Sequence, residues 1–184
     1  MKFVILLVIL LISALLVADE PPAQTEPDNN ANADQNDPVM QAHRFFAADY
    51  FNKCWDYIDK IDRTPEDDIM MIHYAHASRA HWEAVGNPSN LAVGEWQISH
   101  VYAILNKPLE AATYGQACLN ICQKNELEGF NLGFAYEALA RAEVLMGNII
   151  AAQEYIDLGK KEAEKVEEKE DREYLLNELN TIIK

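Results

Sequence analysis

Three histidines crowd one stretch of the chain, His73, His76 and His81, and Glu95 follows within an apolar setting. Metal ligands on one helix need a spacing of three or four residues to share a face. His73 and His76 meet that spacing. His81 lies about 80° and about 140° around the helix from them, at about 100° per residue. It shares a stripe with Met70, Tyr74 and Ala77, which reads as core. A third ligand would have to be borrowed from elsewhere, so neither a metal site nor a cofactor is expected. Histidines hydrogen-bonded at helix contacts are the expectation.

Glu95 is the more pointed signal. Leu91, Glu95, Ile98, Tyr102 and Leu105 fall on one helical stripe, which places a carboxylate among apolar side chains. A buried carboxylate needs a cation or several donors. His76, Arg79 and Glu83 share a face of the preceding helix, and Arg79 is the natural partner. The expectation is a polar cluster of Arg79, Glu95 and one histidine between the second and third helices. Such a cluster either fixes helix register or floors a site for a polar ligand or peptide terminus. No nucleophile or second convergent carboxylate accompanies it, so no catalytic residue is assigned and an enzyme is not expected. Trp82 and Trp96 flank the region, with Trp55 on the first helix; such aromatics grip peptides or fill cores. The candidate binding set is therefore His73, His76, Arg79, Glu83, Glu95, Trp82 and Trp96.

Cys118 and Cys122 share a stripe with Ala111 and Gly115. Four residues apart on a helix, their Cβ atoms stay about 5–6 Å apart, whereas a disulfide needs about 3.8 Å. Small buried core residues are the default, although Cys54 could pair with one of them in an oxidising compartment.

The elements that must position these residues are helical. No strand alternation is sustained after Met40, and proline or glycine punctuates the chain every twenty or so residues. Seven helices are expected, over about 41–60, 66–85, 89–105, 109–124, 129–146, 149–166 and 169–183, the last two separated only by charge. Thr64 and Pro65 suit the start of the second helix. Helices of this length joined by two or three residues fold back on one another. Leu105 to Ala111 and Met146 to Ala152 form equivalent breaks 41 residues apart, and Trp82 to Pro88 is a looser version. Leu175, Leu179 and Ile182 form a stripe suited to a helix that caps the end of an array.

Ala135 to Gly159 resembles a tetratricopeptide repeat: Tyr136, Leu139, Ala140, Ala152, Ile156 and Gly159 occupy the motif's aromatic, leucine, small, alanine, large and small positions. Glu143 stands where the motif prefers an aromatic. Ser99, Tyr102, Ala111 and Cys118 fit a second, degenerate copy with Glu95 at its aromatic position. More narrowly, Arg63 to Asp68, His73, His76 to Arg79, His81-Trp82 and Gly94 to Ser99 resemble a group of small, uncharacterised bacterial tetratricopeptide-like proteins. The resemblance implies an all-α fold, antiparallel helical hairpins stacked as a short right-handed array, and a protein or peptide partner.

Charge and the N-terminal segment complete the expectations. The chain carries 15 Lys and Arg against 30 Asp and Glu, a formal net charge of −15. Such a surface repels phosphate backbones, so no nucleic-acid partner is expected. Phe3 to Ala18 is an apolar run behind Lys2. As a helix it would cover about 24 Å, short of the hydrocarbon core of about 30 Å. It reads as a signal peptide, or else an uncleaved N-terminal anchor that would be the chain's one membrane contact, and the rest is expected to be exported. Residues 19–39, rich in Pro, Asn, Gln and acidic side chains, read as a disordered linker, and residues 40–184 as the helical domain.

Overall fold

The computed structural model describes residues 37–183, and the expected signal or anchor and nearly all of the expected linker lie outside them. Seven helices follow in order: α1 Pro38–Ile58, α2 Pro65–Val85, α3 Pro88–Ile104, α4 Pro108–Lys124, α5 Phe130–Leu145, α6 Ile149–Ala163 and α7 Lys169–Asn180. No strand occurs among the described residues, and no helix there is long and apolar enough to cross a membrane.

Local chemistry sets the boundaries. The first four helices each begin with a proline, whose missing N–H is no loss in a first turn. Asp37 accepts from the Val39 amide at 2.8 Å, so Pro38 and Val39, expected at the end of the linker, form the first turn of α1. Thr64 and Asp67 form a reciprocal capping box ahead of α2, and Asn87 and Asn90 form another ahead of α3.

The breaks after α3 and α5 share one mechanism. Asn106 (φ 53°) and Gly147 (φ 82°) are left-handed. In each, the following amide reaches back five residues: Lys107 N to Tyr102 O and Asn148 N to Glu143 O, both 2.9 Å. The break at Gly86 works differently: Gly86 is extended and donates to Trp82 O at 2.7 Å, so the expected likeness to the other two does not hold. Residues 164–168 separate α6 from α7, so these are two helices.

The helices pair as hairpins α1–α2, α3–α4 and α5–α6, with α4 against α5 and α3 against both α2 and α5. Small residues and buried hydroxyls or amides mark the close crossings. Ser78 donates to Ala47 O (2.8 Å), Ser99 to Ala111 O (2.7 Å) and Gln97 to Phe51 O (3.1 Å), all buried. Helix α7 closes the far end. A Cβ on Gly133 would lie 2.4 Å from Leu175 Cδ2, and one on Gly159 would lie 2.8 Å from Leu179 Cδ2. The two glycines thus form a notch that admits both buried leucines.

The buried face of α2 is Met71, Ala75 and Ser78, which packs with Cys54, Ile98 and Val101. The stripe of Met70, Tyr74, Ala77 and His81, expected as core, lies one position around and is only partly covered. The reason is the placement of α2 between α1 and α3, which turns Met71, Ala75 and Ser78 inward and leaves Tyr74 and His81 against rings of α1. All three cysteines are buried free thiols, so no bridge links Cys54 to either partner.

Candidate functional site

The expected ion cluster forms, without its histidine. Arg79 Nε donates to Glu95 Oε1 at 2.8 Å, and Nη1 donates to Glu83 Oε2 at 2.6 Å. Gly94 makes room: a Cβ there would meet Arg79 Cδ at 2.7 Å. The Glu95 side chain is only 12% exposed. Its burial raises the carboxyl above its ordinary range, and the Arg79 charge only partly counters this. His76 instead hydrogen-bonds the Tyr102 hydroxyl at 3.1 Å and packs edge-on against Tyr102 and Tyr114. His73 is exposed, and Trp82 is half-buried without a ring contact to the others. Tyr102 and Tyr114 thus engage His76, and Glu95 is left to Arg79. The expected binding residues therefore divide, and Arg79 spends its charge on two carboxylates of its own chain.

Trp96 belongs elsewhere. It is 6% exposed, a core side chain and not part of a surface grip. Its indole Nε1 donates to Glu137 Oε2 at 2.9 Å. Glu137 is fully buried, and its other oxygen accepts from Arg141 Nε. Arg141 Nη2 reaches on to Glu178 Oε2 at 2.7 Å and Thr181 Oγ1 at 3.0 Å. One guanidinium thus joins α5 to α7, and one carboxylate joins α5 to α3. Neither side chain of the Glu137–Arg141 pair figured in the expected site.

An aromatic rail runs beside this network. Trp55 of α1 faces Trp96 with ring centroids 6.0 Å apart, and Trp96 stacks on His100 at 5.4 Å. Trp96 also meets Phe134 of α5 edge-on at 4.9 Å, and Phe134 meets Tyr174 of α7 at 5.5 Å. Helices α1, α3, α5 and α7 therefore share one continuous inner face. Its members recur at a fixed interval: Trp55, Trp96, Glu137 and Glu178 stand 41 residues apart, as do Asp59, His100, Arg141 and Ile182. The same interval separates Asn106 from Gly147. That coincidence was the available signal for the residues that local spacing missed.

A cleft of about 200 Å³ opens on this face, lined by His100, Ala103, Ile104, Arg141, Val144, Leu145 and Ile182. Ligand pockets for whole small molecules run to about 300–1,000 Å³, so this one suits a single large side chain. Its rim is apolar except for His100 and Arg141. Burial pushes His100 down to about 4, which keeps the imidazole neutral at physiological pH. Its Nδ1 and the Trp55 Nε1 are buried without a hydrogen-bond partner, as is Gln97 Oε1. The inner face therefore holds its charges fixed by one another and leaves polar atoms of two neighbouring rings unspent.

Comparison with known proteins adds no second line of argument: no family model, no curated protein and no solved structure matches the chain.

Proposed function

We propose that this chain is a non-catalytic helical-repeat interaction module, tetratricopeptide-like in design, that holds a protein or peptide partner outside the cytoplasm. The observation that carries the reading is the inner face of α1, α3, α5 and α7, with its cleft of about 200 Å³ between α3 and α5. An apolar side chain of a peptide would seat against Ile104, Val144, Leu145 and Ile182. The 41-residue interval supports a repeat origin for that face. The export component rests on the apolar run from Phe3 to Ala18 alone. The rival reading, a small ligand or metal held by His73, His76, Arg79 and Glu95, has less support because Arg79 is spent on Glu83 and Glu95 and His76 on Tyr102.

The test is site-specific photo-crosslinking in the native cell, with the reactive side chain at Leu145 in the cleft or at the exposed Glu154 on α6. A discrete protein adduct from position 145 and none from 154 supports the reading. Equal adducts from both positions, or none from either, oppose it.

A further inference from the structure

A pair of imidazoles that the sequence did not bring together lies on the outer seam of the first hairpin. His43 of α1 and His81 of α2 are 38 residues apart, and their Nδ1 atoms approach to 3.0 Å. The rings are tilted 57° to one another with centroids 4.9 Å apart. His81 is flanked by Phe46 at 5.5 Å and by Tyr50 at 5.7 Å, so its position is fixed by packing on α1. Both histidines are half-buried.

We infer that His43 and His81 form a two-imidazole chelate for a late divalent transition-metal ion, copper(II) in the first place. Geometry permits the chelate, and intrinsic affinity selects the ion. With metal–nitrogen bonds of about 2.0–2.1 Å, two cis ligands at about 90–95° hold their nitrogens about 2.9–3.1 Å apart, whereas a tetrahedral ion spreads them to about 3.3 Å. The 3.0 Å of the apo pair is an N–H···N hydrogen bond that matches the first spacing and falls short of the second by only about 0.3 Å. Copper(II) also stands highest in intrinsic affinity for nitrogen ligands among the divalent ions of this row.

The proton inventory is compatible. In the apo pair one Nδ1 carries the hydrogen and the other accepts it. On metal binding the donor ring shifts its hydrogen to Nε2, and both Nδ1 lone pairs turn to the ion with no net proton release. No third histidine, cysteine or carboxylate joins them in a ligand set among the described residues. The remaining coordination positions fall to water or to a ligand brought by a partner, which makes this an open site and not a structural one.

The test uses the full chain, titrated with copper(II) chloride by calorimetry, with electron paramagnetic resonance on the loaded protein. The expected result is one ion per chain and an axial spectrum whose superhyperfine pattern requires two nitrogens. Losses of second-shell partners alone lower metal affinity about 10–100-fold. His43→Gln and His81→Gln should therefore each weaken binding at least about tenfold, while His73→Gln leaves it unchanged. Circular dichroism shows whether each variant keeps its helices. The wild-type spectrum stands as an independent readout should either variant fail to fold. A spectrum without two equivalent nitrogens, binding that survives in both variants, or zinc held more tightly than copper would overturn the proposal.

Discussion

Replacing Arg141 by leucine tests the inner face through its most heavily committed charge. Glu137 is fully buried, and its oxygens are spent on Trp96 Nε1 and Arg141 Nε. Arg141→Leu leaves the tryptophan hydrogen bond but strands the carboxylate. Removing one partner of a buried ion pair costs about 3–5 kcal/mol. Loss of the bonds to Glu178 and Thr181 adds little, because those groups are partly exposed and such pairs contribute about 0–1 kcal/mol. At about 2–4 °C per kcal/mol for a domain of this size, the melting temperature should fall by about 6–20 °C. Thermal unfolding followed by circular dichroism at pH 7 measures it. The double variant Glu137→Leu with Arg141→Leu removes both charges, and its loss should be well short of the two single losses added together. The reasoning fails if Arg141→Leu melts within about 2 °C of wild type, a change of about 1 kcal/mol or less. It fails equally if the two single losses simply add.

Three further outcomes follow from the same geometry. Gly133→Ala drives a methyl to 2.4 Å from buried Leu175, so α7 should lift from its notch at a cost of about 1–3 kcal/mol, seen as faster amide exchange in α7 than elsewhere; unchanged protection there contradicts the notch. Burial pushes His100 from 6.5 down to about 4, so the folded chain refuses a proton that the unfolded chain accepts. That contribution is complete above pH 6.5, is lost as pH falls through about 4, and amounts to about 3 kcal/mol. His100→Phe should shrink the stability loss between pH 7 and pH 4 by about that amount in denaturant titrations, and an undiminished loss would contradict it. Finally, burial pushes the Cys54 thiol up to about 12, so it should resist alkylation in the native protein and react once unfolded; ready native labelling at Cys54 by mass spectrometry would oppose its placement.

The helices were legible because their punctuation acts locally. Thr64 with Pro65, Pro88, Asn106 with Pro108, and Gly147 each impose a backbone conformation that no packing needs to supply. The Arg79–Glu95 pair was legible because a carboxylate in an apolar stripe demands a cation, and the neighbouring helix offered one. The inner face was not. Glu137 and Arg141, four residues apart, read like any solvated helix pair, and only the identity of the surrounding helices buries Glu137 and covers most of Arg141. Trp96 stayed open between surface grip and core for the related reason that spacing cannot tell which side of a helix faces the next hairpin. His43 and His81 were beyond local spacing altogether, since their meeting depends on the register of α1 against α2.

The claim that the α3–α5 cleft is the partner-binding surface is tested most directly by filling it. Ala103 is half-buried in the lining, and Ala103→Phe places a ring in a space of about 200 Å³. Partner capture from envelope extract is compared between wild type and this variant, with both held to matched melting temperatures. The account predicts that the protein crosslinked from position 145 is lost from the Ala103→Phe eluate while the helical fold remains. Undiminished capture with the cleft filled would contradict it.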